Sequence, residues 1–553
     1  MNGAEAIMGT DSPNHLMIAP ILIPLIAGAV MLFYEDRQRR AKFVISMIAC
    51  VAMLVIAVQL LLGAKGAGPS GGNEIGLYLL GDWPTPFGIN LVLDRLSALM
   101  LVIAGLMAIP ALVYASAEWQ ARGQHFHSLF MFLMMGVNGA FLTGDLFNLF
   151  VFFEIMLAGS YGLLLHGSGA ERVKSGLHYI AINLMASLFF LIGVSLIYGV
   201  VGTLNMADLA QQMPTISDRE RPLVHAALAI LGIAFLVKAG MWPLCFWLPP
   251  TYQAASAPAA AMFAILTKVG IYVLLRLCFL TFAPGSGPSA GFGAEVLLFG
   301  GLATMTYGSI GVLGAQAMSR MAGHAVLISS GTMLAVIGLA MNGGGISMLA
   351  GALYYMTVST LGLAAFFLLA ELAERGHGAV AAMLALSSDL YGTPEDEDEY
   401  EPSGIVVPAT MTILSLCFAA LAVLLAGLPP LPGFLGKVMI LSAMMEGDQG
   451  GNAMSWVFLA LLILSGLATL IALVRVGVQT FWAGADDEGP RVTIAEAGPV
   501  VAFVLMALLM TWQARPVMRY MEATAAALHS PDVYINGVIT AERTFDQRGE
   551  GGS

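Results

Sequence analysis

Charge is what this chain has little of. Of its 553 residues only 10% are Asp, Glu, Lys or Arg, while 58% are hydrophobic, and the mean hydropathy is +0.83. Soluble globular domains carry about 25% charged residues, so the composition excludes a soluble enzyme, a disordered chain and a nucleic-acid binder. It also excludes a transmembrane β-barrel, whose alternating strands keep average hydropathy low. Cysteine is scarce too. The four cysteines, Cys50, Cys245, Cys278 and Cys417, stand singly with no CxxC, which suggests no iron–sulfur or zinc site and reads as small buried hydrophobes. Walker A, dinucleotide-fingerprint, HExxH and haem motifs are missing, so no cofactor and no nucleotide-driven pumping by this chain alone are expected. The first apolar stretch has no basic region before it, so no signal peptide is expected.

What the chain does have is long apolar runs. A spanning helix needs roughly 20 mostly apolar residues. Fourteen candidates lie near 17–34, 43–63, 92–115, 126–144, 146–166, 175–200, 223–242, 253–281, 294–314, 323–341, 346–371, 404–427, 433–482 and 496–513. Residues 433–446 read as the second half of a broken helix that begins at 404, and the rest of that run as the next span. The fold class is thus an all-α polytopic membrane protein. Basic residues mark the cytoplasmic loops. Arg37, Arg39, Arg40, Lys42, Arg122, Arg172, Lys174, Arg320, Arg375, Arg475 and Arg491 fall on one side, against Lys65, Arg219 and Arg221 on the other; Arg95 and Arg276 sit near outer helix ends. Both termini are therefore expected to be extracytoplasmic. The acidic run Glu395–Glu401 supplies much of the net charge of −12 and reads as a solvated cytoplasmic loop. Residues 516–528 fit a short amphipathic surface helix, and the Gly-rich end is expected to be disordered.

The few charges inside apolar runs are the informative ones. The chain has six lysines, and Lys238, Lys268 and Lys437 fall within spans, as does Glu154. Each such group at a helix centre costs about 2.5–3.5 kcal/mol on insertion scales, and ionisable residues at that depth mark ion or proton pathways. The structural alternative is that they pair and lock helices together. Lysine beside a carboxylate can hold or release a proton as the pair tightens or loosens, whereas arginine stays protonated.

Proline and glycine cluster beside two of these lysines. Lys238 precedes Gly240, Trp242-Pro243 and Trp247-Leu248-Pro249-Pro250, and Leu428-Pro429-Pro430-Leu431-Pro432-Gly433 precedes Lys437. Paired interrupted helices point to an inverted-repeat transporter with midplane sites, because broken backbone at that depth is tolerated only against protein or a water-filled cavity. Lys268, Tyr272 and Arg276 recur at i, i+4, i+8 on one helix face. Glu154 with Tyr161, Tyr355 with Ser359, and Asn183 with Ser187 share faces likewise; each pair alone is also ordinary interhelical glue. His178 and His324 lie near or inside spans and are candidate relays near neutral pH. Trp242, Trp247 and Trp512 read as interfacial anchors.

The stretch Phe141-Leu142-Thr143-Gly144-Asp145-Leu146-Phe147-Asn148-Leu149-Phe150-Val151-Phe152-Phe153-Glu154 resembles the helix-5 signature of the antiporter-like membrane subunits. So do Lys238-Ala239-Gly240 with Trp247-Leu248-Pro249, Thr267-Lys268-Val269-Gly270, and Gly427-Leu428-Pro429-Pro430 with Gly433-Phe434 and Lys437. That family includes the proton-pumping subunits of respiratory complex I and the A and D subunits of Mrp-type (Pha-type) multisubunit Na+(K+)/H+ antiporters. The resemblance runs from about residue 17 to 513 and is greatest to the D branch of the Mrp antiporters; Tyr534-Ile535 after Ser530-Pro531 resembles its C-terminal ending.

The resemblance implies N-terminal helices 1–3 over 1–125, inverted repeats over 126–282 and 294–482 with broken helices 7 and 12, helix 14 over 496–513, and a polar tail over 514–553. It implies that Glu154 and Lys238 form the charge pair of one half-channel, that Lys268 passes the proton along the axis, and that Lys437 serves the other half-channel. His324, Tyr272 and Arg276 are secondary candidates. Where many relatives place Lys or His on helix 11, this chain has Tyr355, Thr357 and Ser359. The expected partners are other membrane subunits of an antiporter complex in a bacterial-type inner membrane. A proton-pumping subunit of complex I or of a membrane hydrogenase is the rival reading.

Overall fold

The computed structural model describes residues 15–35, 37–64, 75–391, 409–446, 453–482 and 492–541, and the side chains of 376–391 are not included. The acidic run, Lys65, Arg491 and the Gly-rich end lie outside the described residues.

Two helices lead in, α1 (Ala19–Leu32) and α2 (Arg39–Gly63). A small antiparallel hairpin follows, β1 (Gly76–Leu79) on β2 (Asn90–Leu93), with Gly76 opposite Leu93. The hairpin takes residues 92 and 93, which the apolar pattern assigns to a span. Asp94 then caps α3 (Arg95–Ala117) in a reciprocal box with Ser97, satisfying donors that the first turn leaves open. Next come α4 (Phe126–Leu142), α5 (Leu146–Leu165), whose N-cap is Asp145, and the long α6 (Ala170–Val201). A short α7 (Met206–Gln212), capped by Asn205, leads to α8 (Arg221–Ala239).

Both proline-rich stretches are breaks. α8 stops at Gly240, held at φ 73°, and the chain resumes in α9 (Leu248–Ala254), with Pro249 and Pro250 in its first turn. Proline there gives up no hydrogen bond that a helix would have made. After α10 (Ala257–Thr281), α11 (Ala294–Gly314), α12 (Met318–Met341) and α13 (Ile346–Tyr391), the second break falls between α14 (Ala409–Ala426) and α15 (Pro432–Glu446). It turns on Gly427, at φ 77°, a backbone region that glycine enters without a Cβ penalty. α16 (Ala453–Gly477) and α17 (Ile494–Trp512) complete the apolar helices, and α18 (Ala514–His529) and α19 (Asp532–Ile539) form the tail.

Among the described residues, eleven helices are long and apolar enough to cross a membrane, and α1, α4, α14 and α15 are shorter apolar helices. Every residue of α10 is buried, and α12 and the 346–375 part of α13 are nearly so. A helix apolar all round belongs inside a bundle, so the polar groups on α10 are shielded from lipid. α2, α6, α11 and α16 expose Ile48, Leu184, Ile310 and Ile471 on the outside. Small residues set the close packing: a Cβ on Gly301 would lie 2.4 Å from the Ala335 backbone nitrogen across the α11–α12 contact, the close approach that glycine permits between membrane helices.

The tail does not lie free on a surface. Tyr520, Met521, Ala525 and Leu528 of α18 are buried, against α13, α10 and α3. Trp247, expected at an interface, is also buried, at 1% exposure. Its ring packs at a tilt against Tyr179, 5.2 Å between centroids, because the break after α8 turns the chain inward. Trp242 and Trp512 are exposed.

Candidate functional site: a buried lysine path

Glu154 on α5 accepts a short hydrogen bond from Ser187 on α6. Asn183, one turn from Ser187, donates to the Tyr179 carbonyl at 2.7 Å, and its own side-chain oxygen is buried without a partner. Lys238, at 1% exposure, occupies the last turn of α8, just before the break. Its Nζ donates to the Tyr179 hydroxyl at 3.2 Å and lies over the rings of Phe153 and Tyr179 at 5.8 and 5.4 Å. The Tyr179 hydroxyl bonds Ser160 Oγ at 2.8 Å. Glu154 and Lys238, which the resemblance pairs, share this pocket without an ion-pair contact; Ser187 and Tyr179, both on α6, hold them separately.

Lys268 is fully buried on α10. Its Nζ donates to Ser329 Oγ on α12 at 2.7 Å, and Ser329 bonds Ser359 Oγ on α13 at 2.8 Å. Lys437, on α15 just past the second break, donates to the Ala426 carbonyl at 2.9 Å. That carbonyl is open because α14 ends there. Cβ atoms on Gly427 and Gly466 would come within 2.9 and 3.0 Å of Lys437 Nζ, so both glycines make room for the ammonium. Charged donors contribute about 1.5–3 kcal/mol per bond, which offsets part of the insertion cost of each lysine.

The secondary candidates sit elsewhere. Tyr272 donates to the Phe141 carbonyl at 2.6 Å. Arg276 forms a two-point ion pair with Asp94, at 2.6 and 2.7 Å, and lies under the Tyr534 ring at 4.9 Å. Burial disfavours the Asp94 charge, but Arg276 and the Ser97 hydrogen bonds outweigh it and hold the carboxyl below its ordinary range. His324, in the second turn of α12, is buried near Tyr307 with Nδ1 unpartnered. His178 is exposed on α6.

Sequence reasoning missed several of these groups. Asp94 precedes an apolar run with Ser three positions on, a capping signature. Tyr179 precedes Asn183 and Ser187 at four-residue spacing, so that polar stripe extends one turn beyond the pair. Nothing local announces the clamp at the opposite end, where Arg375 binds Glu371, Glu118 and Glu496. There Glu371 accepts from the Ala257 backbone at 3.1 Å and Glu374 from the Ser319 backbone at 3.1 Å. Two carboxylates of α13 thereby cap the starts of α10 and α12, where negative charge is favourable.

Helices broken beside buried lysines, around a core helix that carries another, define a class of polytopic membrane protein with ionisable groups enclosed in its helix bundle. Residues 143–469 match the family model described as NADH:quinone oxidoreductase/Mrp antiporter, TM. The chain is 53% identical over 97% of its length, and 100% of the relative's, to the D subunit of a probable K(+)/H(+) antiporter of Rhizobium meliloti (strain 1021). It is 32% identical over 95% of its length, and 99% of the relative's, to the D subunit of the Na(+)/H(+) antiporter of Alkalihalophilus pseudofirmus. Its fold matches a chain in the structure of the Mrp complex from Dietzia sp. DQ12-45-1b with TM-score 0.78 and 26% identity, covering 95% of this chain and 99% of that one. The chain belongs to the NADH:quinone oxidoreductase/Mrp antiporter transmembrane family.

Proposed function

We propose that this chain is the proton-translocating subunit of a multisubunit monovalent cation/H+ antiporter, a secondary-transport subunit rather than an enzyme. Protons move along Glu154, Lys238, Lys268 and Lys437, and cation export is driven elsewhere in the complex. One observation carries this reading. Among the described residues, Lys238, Lys268 and Lys437 touch no carboxylate; each Nζ donates to a hydroxyl or a carbonyl instead. A lysine locked in an ion pair is a fastener. One held by neutral acceptors is free to change its protonation.

Two further features support the arrangement. α4 packs on α5, and α6 on both halves of the first broken helix (α8 and α9); the same neighbours recur as α11 on α12, and α13 on both halves of the second (α14 and α15). The fourth helix of each set is the broken one, as two repeats over 126–282 and 294–482 require. Arg39, Arg122, Arg172, Arg375 and Arg475 gather at one end of the bundle. By the charge rule that end faces the cytoplasm, leaving His15 and the tail extracytoplasmic in a bacterial-type inner membrane.

The test is exchange in everted vesicles carrying the whole complex. K+ is the first cation to assay, since the relative at 53% identity is named for K+, and Na+ the second. Glu154→Ala and Lys238→Ala are expected to abolish exchange while the complex still assembles. Wild-type exchange in an assembled double variant overturns the proposal.

A further inference from the structure

The lysines on α10 and α15 are separated by α12 and α13, and among the described residues no carboxylate, lysine or histidine bridges them. Hydroxyls do. Lys268 reaches Ser329 at 2.7 Å, and Ser329 reaches Ser359 at 2.8 Å. Tyr355, one turn from Ser359, lines the same space as Ser329 and Ser359. Beyond these groups lies a small cavity whose lining includes Ser329, Ser359, Tyr355, Leu424, Gly433 and Thr469. Gly433 lies at the start of α15, and Thr469 is one turn along α16 from Gly466, the glycine that abuts Lys437 Nζ. The cavity is thus bordered by the partners of Lys268 on one side and, on the other, by residues one turn from Lys437 and from the glycine beside it.

We infer that Ser329, Ser359 and Tyr355 form a hydroxyl bridge that carries the proton from Lys268 to Lys437 through water in this cavity, an inference that rests on the proton-translocating reading above. A hydroxyl is both donor and acceptor, so it takes one proton as it releases another. Lys268 gives a proton to Ser329 Oγ while Ser329 releases its own to Ser359 Oγ. Ser359, which donates to the Met356 carbonyl at 3.2 Å, turns to the cavity and releases its proton to water, and neutral Lys437 takes one up. Lys268 ends neutral and Lys437 charged. Every hydroxyl keeps one proton, and no oxidant or reductant is involved. Thr469 donates to the Ser465 carbonyl at 2.7 Å and positions the far wall of the cavity.

The experiment compares the complex carrying Ser329→Ala with Ser359→Ala, Ser329→Thr with Ser359→Thr, and Lys238→Ala alone, in vesicles in H2O and D2O. The alanine pair is expected to lower exchange about tenfold, the scale of a lost hydrogen-bonded partner, and to raise the solvent isotope effect as this step becomes limiting. The threonine pair, which keeps both hydroxyls, restores both values. If the alanine pair fails to assemble, Ser329→Cys takes its place, with near-native volume and a weak donor, and the same loss is expected. Wild-type rate and isotope effect in the hydroxyl-deleted complex, with Lys238→Ala inactive, overturn the bridge and leave the broader reading standing. Full exchange by Lys238→Ala overturns that reading and the bridge with it.

Discussion

At the scale of single residues, the choice of lysine over arginine carries the chemistry. Lys238 packs against Phe153 and Tyr179, and an arginine there would keep the positive charge and the ring contacts. It would not release a proton at any physiological pH. Lys238→Arg is therefore expected to give an assembled complex with exchange near background, measured by dequenching of a pH-sensitive dye in everted vesicles. Wild-type turnover would show that only the fixed charge matters. The lysines themselves were legible in the sequence, because a charge in an apolar run has no cheap explanation. Their partners were not. Tyr179 is 59 residues from Lys238, and Ser329 is 61 from Lys268. A serine or tyrosine inside a span is common enough that only the fold singles these out. Arg276 shows the converse: its spacing from Lys268 puts it on the same stripe, where it donates to the Tyr272 hydroxyl at 3.2 Å, yet its ion pair is with Asp94 of α3's cap and its outer face lies against Tyr534 of the tail.

At the scale of elements, the two breaks decide where the lysines sit. Proline and glycine announced both, and the ends of α8 and α14 fall where those residues place them. The hairpin β1–β2 was not legible, since its strands are short and one borders an apolar run. The second break tolerates no bulk at Gly433. A Cβ there would lie 2.1 Å from the Leu424 carbonyl oxygen, well inside any contact a backbone accepts without moving. Gly433→Ala is expected to push α15 away from the end of α14, displace Lys437 from the Ala426 carbonyl, and cost most of the exchange activity together with thermal stability. Gly199, in the exposed interior of α6, has nothing within 4 Å of the point where an alanine methyl would stand. Gly199→Ala should be neutral or stabilising by about 0.5–1 kcal/mol. Melting of the purified complex, followed by size-exclusion chromatography after heating, checks both. Equal melting temperatures for the two variants would refute the steric account of the break.

At the scale of the whole molecule, the two ends of the bundle are closed by different means. Carboxylates of α13 cap α10 and α12 at the arginine-rich end. The opposite end is closed by the tail, which sequence alone places on a surface because its helix is amphipathic. Its apolar face is instead spent on α13 and on the end of α10, contacts between residues more than a hundred positions apart. The Tyr520 hydroxyl donates to the Arg95 carbonyl at 2.7 Å, and Thr85 donates to the Val538 carbonyl at 2.9 Å. Tyr534 then covers Arg276, whose ion pair with Asp94 ties α10 to the cap of α3. Replacing Asp94 by Asn keeps an acceptor for the cap but leaves a buried guanidinium without its counter-charge, a change that costs about 3–5 kcal/mol. Asp94 also sets a pH dependence. Its carboxyl is held below the ordinary range in the folded protein, so its stabilisation is complete above the unfolded carboxylate pKa of about 4 and fades as pH falls through the lower folded value. The wild-type complex should lose melting temperature on acidification partly through this pair. Asp94→Asn should melt lower at neutral pH and fall less steeply toward acid, because the titrating group is gone. Parallel melting curves for the two proteins from neutral to acid pH would mean that the tail, and not the ion pair beneath it, holds this end shut.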